Sequence, residues 1–417
     1  MISPCRIHGA RNRVDPLPLA LLFAASLLAL QPEAVGQNTT GSTSEEAGVS
    51  WLSTIPFHIT VGVDAGYDDN ATRNLRGSGG SGEGSLFARE NVNLSYDRPA
   101  GRTQLHLLTI GRFAQFFDTS QYDKDGNVTL SLTHKSSTRL SFAADVYAAY
   151  QTEPDFSSDV GPENVRADHF DTRDIFSATY HWLPRFATVT SYTFRGVKYA
   201  QSSIGTSGPS QDRVENTLAE RLQFSLTRRT NLVGEYRFEI INYDTAPKDS
   251  ITHFALVGID HNLTEHLTFQ ARGGESFRSF KDDGDTVDPN FEGSLDYSGS
   301  NASLKWTTNY GLEEPNSQGA LSRTTIRTGL RLRYGLSPRI SSTAAVYYHH
   351  DENQGTVSSG TGSGGTQDSF NLTLGLRYTI GQRFAMHVDY EHSSVGSLGS
   401  TPGYSRNRYS AGLSFTY

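Results

Sequence analysis

The densest group of titratable side chains in the sequence is His349-His350-Asp351-Glu352. Imidazoles and carboxylates in one place bind transition metals or exchange protons, but at the end of an alternating segment the four read as a solvated passage from strand to loop. "DKDGN" (123–127) and "DDGDTVD" (282–288) carry carboxylates spaced like fragments of calcium loops. Neither continues to the bidentate glutamate that such a loop requires, so turn chemistry is the expectation. The sequence holds no GxSxG nucleophile elbow, no HExxH zinc helix and no phosphate-cradling glycine loop followed by Lys-Ser/Thr. The expectation is a protein that is not an enzyme, with no catalytic residues, cofactor or metal.

A second kind of charge is more regular. In "TIRTGLRLRYG", Arg327, Arg331 and Arg333 alternate with Ile326, Leu330, Leu332 and Tyr334, and in "SFNLTLGLRYTI" Arg377 lies opposite Leu374, Leu376 and Tyr378. Glu235, Arg237 and Glu239 share one parity, as do His387, Asp389 and Glu391. A period of two is the period of a strand, with one apolar and one charged face. If the apolar face meets lipid, the charges point inward, because Arg or Lys toward lipid at the bilayer midplane costs about 2–4 kcal/mol. These ten residues are the expected pore lining, able to orient or filter hydrated solutes. Glu220 breaks the rule by falling on the apolar face between Leu218 and Leu222; a bulge or a position near the headgroups is expected to accommodate it.

Such ladders need strands to hold them. From Phe57 onward, strand-like segments of about ten to fifteen residues are joined alternately by short and long connections. The short ones are "RPAGR" (98–102), "KSST" (135–138), "LPR" (183–185), "TRRT" (227–230), "TEH" (264–266), "SGSN" (298–301), "LSPR" (336–339) and "IGQR" (380–383). The long ones are polar and occupy 69–85, 118–125, 152–171, 201–213, 244–250, 281–289, 314–320, 352–368 and 394–407. This is the pattern of an all-β, transmembrane antiparallel barrel with tight periplasmic turns and longer outer loops, about eighteen strands in number (16–18). Tyr67, Tyr96, Phe116, Phe117, Tyr150, Tyr180, Trp182, Tyr199, Tyr243, Phe280, Tyr334 and Tyr378 gather near strand ends and are assigned to interfacial girdles. "GYDDN" then reads as the outer end of the first strand, with Tyr67 at the interface and Asp68, Asp69 and Asn70 opening the first loop.

Composition agrees: hydrophobic residues make up only 36% of the chain while 40 glycines, 20 tyrosines and 22 phenylalanines replace a Leu-rich core. A net charge of −8 with no basic cluster excludes a nucleic-acid partner. Arg6, Arg11 and Arg13 precede an apolar run from Leu17 to Leu30 and the small residues Ala34-Val35-Gly36, which predicts an export signal over 1–36. A short periplasmic segment (37–56) and the barrel (57–417) follow. The apolar run is shorter than the ~20 residues of a membrane helix. The single cysteine, Cys5, lies in the leader, so no thiol chemistry is expected beyond it. In "RYSAGLSFTY", Tyr409, Leu413, Phe415 and Tyr417 share a face and resemble the signature read by barrel-assembly machinery. The expected location is the outer membrane, with its lipids and lipopolysaccharide as partners.

The "GYDDN" opening and the units "LPRFATVTSYTFRGVKY", "TRRTNLVGEYRFEIINY" and "VGIDHNLTEHLTFQARGG" resemble the beta-barrel porin type 2 family. That resemblance implies an outer-membrane barrel associated with exopolysaccharide or capsule production, and adds polysaccharide to the expected partners. The function expected is passive passage of hydrophilic solutes or an exopolysaccharide-associated role. The alternative is a non-transporting barrel that displays its loops.

Overall fold

The computed structural model describes residues 57–72, 82–99, 101–119, 121–152, 156, 168–200, 211–315, 320–354, 365–398 and 402–417. The leader and the periplasmic segment assigned from sequence lie outside them, as do 73–81, 201–210 and 355–364 of the long connections.

Eighteen strands run β1 (Phe57–Asp68), β2 (Ser85–Arg98), β3 (Thr103–Phe116), β4 (Tyr122–Lys135), β5 (Leu140–Gln151), β6 (His169–Leu183), β7 (Phe186–Tyr199), β8 (Arg213–Ser225), β9 (Thr230–Tyr243), β10 (Ser250–Asn262), β11 (Leu267–Phe280), β12 (Asp285–Ser298), β13 (Ala302–Glu313), β14 (Ser322–Ser337), β15 (Ile340–Gln354), β16 (Gly365–Ile380), β17 (Phe384–Val395) and β18 (Tyr404–Thr416). Each pairs antiparallel with its sequence neighbours, and β1 pairs with β18 from Thr60↔Thr416 to Asp68↔Arg408, which closes the ring. Closure leaves no free sheet edge, and pairing on both sides satisfies the backbone N–H and C=O groups through most of the wall, as hydrocarbon requires; 285–290 of β12 extend past their β13 partner.

The short turns are built locally. Ser137 Oγ accepts from the Arg139 and Leu140 amides, and Ser337 Oγ accepts from those of Arg339 and Ile340. Thr227 and Thr264 accept in the same way from Arg229 and His266. A hydroxyl bonded to an amide two residues on substitutes for a backbone turn bond. Gly101 and Gly381 sit in the two turns that demand a positive φ, 97° and 82°.

The pleat sorts side chains as a membrane barrel must. Val63, Leu86, Leu218, Val257, Val388 and Leu413 stand exposed on the outer face, while the next residue along each strand turns inward. Three expectations change. The segments 118–125 and 281–289 are about half strand, because β4 begins at Tyr122 and β12 at Asp285. "DKDGN" therefore lies wholly within β4, where cross-strand pairing overrides the turn preference of Asp and Gly. Second, Phe116, Tyr199, Tyr243 and Phe280 are buried on the inner face and not in the girdle. Third, Glu220 keeps a regular register, Thr190↔Glu220↔Tyr236, with no bulge.

Candidate functional site: the charged lumen

At the long-loop end of the barrel the inner face carries a belt in which carboxylates and guanidinium groups alternate. Arg195 on β7 lies 3.8 Å from Asp171 on β6 and 3.7 Å from Glu215 on β8. Arg213 Nε donates to Glu215 at 2.7 Å. Farther round, Arg278 on β11 approaches Glu239 on β9 at 3.6 Å and donates to Glu314 just beyond β13. Arg323 on β14 donates to Glu313 at 3.0 Å and to Asp351 on β15 at 3.1 Å. On the other side, Arg406 reaches Glu391 at 3.5 Å and Asp68 at 3.8 Å, and Arg408 bridges Asp68 (2.9 Å) and Asp123 (3.7 Å). Arg408 is also held over the rings of Phe87 and Phe116, 5.4 and 5.8 Å from their centroids. Alternation matters energetically: a buried charge is tolerated when partners satisfy it, and Arg195, Arg278, Arg323, Arg406 and Arg408 each serve two carboxylates.

Below the belt lies a second layer. Glu235 accepts from Arg221 at 2.7 Å and from Arg237 at 2.6 Å, with Arg272 at 3.6 Å. Arg237 forks onto both oxygens of Glu292, three strands away, and Arg272 donates to Asp260 at 3.1 Å. The two layers border an open cavity of about 220 Å³ lined by Arg195, Arg237, Arg278, Glu215, Glu239 and Glu292, among others.

Two residues beyond strand ends lie within the mouth. Phe156, between β5 and β6, is buried and its ring centroid lies 6.4 Å from that of His349 on β15, which stands half-way round the ring from β6. Glu314 follows β13 and accepts from Tyr243 on β9 as well as from Arg278. Burial raises the pKa of its carboxyl, but Arg278, Arg213 and the Tyr243 hydroxyl overcome that and hold it below the ordinary value. Toward the short-turn end the lumen opens, and Arg331, Arg333, Lys305 and Asp296 line a cavity of about 450 Å³.

All ten residues assigned to the pore from sequence lie on the inner face, in different surroundings. Arg327 donates to Glu313 at 2.6 Å, Arg331 to the Tyr347 hydroxyl at 2.7 Å and Arg377 to Ser414 at 3.3 Å, while Arg333 is exposed. Glu235, Arg237, Glu239 and Glu391 belong to the paired layers just described. His387 joins Asp64 at 2.6 Å and lies 3.7 Å from Asp389. Tyr409, Leu413 and Tyr417 are exposed, and Phe415 packs on Phe384, with ring centroids 5.0 Å apart.

His349-His350-Asp351-Glu352 is not a solvated passage into a loop. It lies within β15, and the pleat divides it: His349 and Asp351 are buried inside, whereas His350 pairs outside with Asp368 at 2.8 Å. Among the described residues no group of three or more His, Cys, Asp or Glu could hold a metal. Asp68 is likewise no loop residue but the buried end of β1, bound to Arg408. Sequence reasoning missed most of the belt, including Arg195, Arg213, Arg278 and Arg323. Parity carried the signal: in "ARGGESFRSF", Arg272, Arg278 and Phe280 share one face, so assigning Phe280 to the girdle hid its neighbours.

The family model described as the outer membrane protein beta-barrel domain matches residues 254–416. No curated protein matches the chain. Among solved structures, the outer membrane protein opdK from Pseudomonas aeruginosa is similar at 13% identity, with 87% of this chain and 99% of that chain covered and a TM-score of 0.39. OccAB4 from Acinetobacter baumannii is 10% identical, covers 87% and 98%, and has a TM-score of 0.40. The copper transporter OprC is 11% identical, with 87% and 82% covered and a TM-score of 0.42. A closed ring of eighteen antiparallel strands, apolar outside and charged within, and a family match running from β10 to the end of β18 mark the protein as a β-barrel of the outer membrane.

Proposed function

We propose that the barrel is a channel for small, charged or dipolar hydrophilic solutes, which pass down their gradient without chemical change. The observation that carries this reading is the charge-balanced inner wall, with a cavity of about 220 Å³ between its two layers. Fixed ions of both signs close to a narrow path exchange hydration for protein contacts, and this favours solutes that present both signs or move with their counter-ion. Planar-bilayer recording of the purified barrel tests it. Discrete conductance steps, slowed or blocked by small charged solutes, are expected; a folded barrel with no conductance overturns the proposal.

The second reading, a barrel that displays its outer loops without transport, draws support from Phe156 and Glu314, which reach from outside the strands to the inner wall at the mouth. It expects zero conductance together with loop-dependent binding to intact cells. Membership of the porin type 2 group and the link to exopolysaccharide rest on the sequence resemblance, and deletion of the gene with assay of surface polysaccharide tests that link. Lipopolysaccharide and the barrel-assembly machinery complete the proposed partners.

A further inference from the structure

The outer wall carries polar side chains where lipid should be. On β6–β9 the outward residues include Asp174, Thr190, Tyr192, Glu220 and Tyr236. Their depth follows from the register. The row Val61↔Val92↔Gly111↔Gly126↔Tyr150↔Phe170↔Lys198 starts in the lower half of β1 and ends beside the top of β7. Rows therefore climb as strand number increases, by about 3 Å per strand at a tilt of about 40°. Glu220 lies four residues above Phe224, about 10 Å along the membrane normal, near the middle of an apolar band about 25 Å tall. Elsewhere near that depth the wall is mostly apolar, with Val61, Val63, Leu332, Leu376, Val388 and Leu413, and carries single outward carboxylates at Glu90 on β2 and Glu275 on β11.

A carboxylate facing hydrocarbon is unfavourable, so Glu220 and Asp174 call for cover. Within the barrel their partners are few: Thr190 donates to Glu220 Oε2 at 2.6 Å, and the Thr172 hydroxyl, 3.3 Å from Asp174 Oδ1, shares its proton with the Tyr147 carbonyl at 2.9 Å. Two phenols lie alongside. The Tyr192 hydroxyl donates to Asn216 at 2.7 Å, and the Tyr236 hydroxyl bonds His253 at 2.7 Å.

We infer that β6–β9 form a two-fold interface with a second copy of this chain, in which each carboxylate meets a tyrosine hydroxyl across the axis. The geometry selects this partner. A two-fold axis along the membrane normal between β7 and β8 places β6 opposite the second copy's β9, and β7 opposite its β8. The row Asp174↔Phe194↔Asn216↔Ile240 climbs about 9 Å over three strands, and Tyr236 lies four residues below Ile240, about 10 Å. Asp174 and the second copy's Tyr236 thus meet at one depth. Tyr192 pairs with Leu218, and Glu220 lies two residues lower on the next strand, so Glu220 and the second copy's Tyr192 are level to within about 2 Å. When the Tyr192 hydroxyl turns its single proton from Asn216 and the Tyr236 hydroxyl accepts from His253, acceptors face donors in both pairs, which makes the patch complementary to itself.

Single-cysteine cross-linking tests the interface, because Cys5 is the chain's only cysteine and can be replaced by serine. In that background Leu218→Cys, beside the axis, should give a dimer with a short bismaleimide in isolated outer membranes. Val388→Cys, on the far wall, should not. Adding Glu220→Leu and Asp174→Leu should lower the Leu218→Cys dimer by about tenfold or more while the barrel still shows its heat-modifiable band on unboiled gels. Glu220→Gln, which keeps shape and hydrogen bonding, should retain most of the dimer and serves as the variant if the leucine pair fails to fold. A monomeric wild type, equal cross-linking at 218 and 388, or a dimer indifferent to the leucine pair overturns the inference.

Discussion

Asp64 on β1 and His387 on β17 are joined by a 2.6 Å bond between Oδ1 and Nε2 that passes over β18, the strand between them. The bond exists because both residues pair in register with Gly412, where a side chain would collide with the carboxylate and the imidazole. Asp64 also accepts from Arg89 on β2 at 2.8 Å, so one buried carboxylate ties three strands, β17, β1 and β2, across the seam that closes the barrel. Gly412→Val is expected to break the tie and leave a buried charge short of a partner, a cost of about 3–5 kcal/mol. The temperature at which the compact band disappears from unboiled gels should fall, and a variant as heat-resistant as wild type would show that the seam does not depend on this bond.

The arginines of β14 should not behave alike. Arg331 and Arg333 face the open part of the lumen, whereas Arg327 neutralises Glu313. Exchanging Arg331 and Arg333 for glutamine should shift the reversal potential toward cations in a salt gradient. Arg327→Gln alone should move it further per charge removed, because Glu313 loses a counter-ion. Equal shifts per charge would argue against the pairing.

Phe156→Ala removes a ring that reaches His349 from the opposite side of the mouth. Single-channel conductance should rise while the folded fraction stays unchanged, since the residue belongs to a connection and not to the wall. An unchanged conductance would place the narrowest part of the path below the mouth.

Lys248, between β9 and β10, is buried beside Gln211. Burial is the main cause that draws its ammonium down to about 8; Glu314 opposes the shift and Arg213 adds to it. The folded pKa is depressed for a base, so the unfolded chain binds the extra proton. The penalty is complete below pH 8 and fades between pH 8 and the unfolded value near 10.5, on the order of 3 kcal/mol in total. Urea midpoints of the detergent-refolded barrel should therefore rise across that window relative to Lys248→Met, and parallel profiles would refute the assignment.

Orientation follows from the turns. Epitope tags at 205–208 or 358–364 should be reached by antibody on intact cells, and tags at 184 or 228 should not. Reversed accessibility would invert the barrel.

The alternation of "SFNLTLGLRYTI" and the succession of short and long connections determine strands, their number and their two faces, because a period of two follows from the pleat and needs no knowledge of neighbours. The ten inward residues were legible for that reason. The pairing of those residues was not. Arg237 meets Glu292 fifty-five positions later, and Asp64 meets His387 three hundred and twenty-three positions later, because a closed ring brings distant strands together on a concave face. The inward turn of Phe280 and Tyr243 was hidden by the assumption that strand-end aromatics face lipid, whereas the mouth must be packed as well as the rim. Whether Glu220 meets water, headgroups or the middle of the membrane was likewise decided by register around the ring, since depth in a tilted barrel is a property of all the strands and not of one.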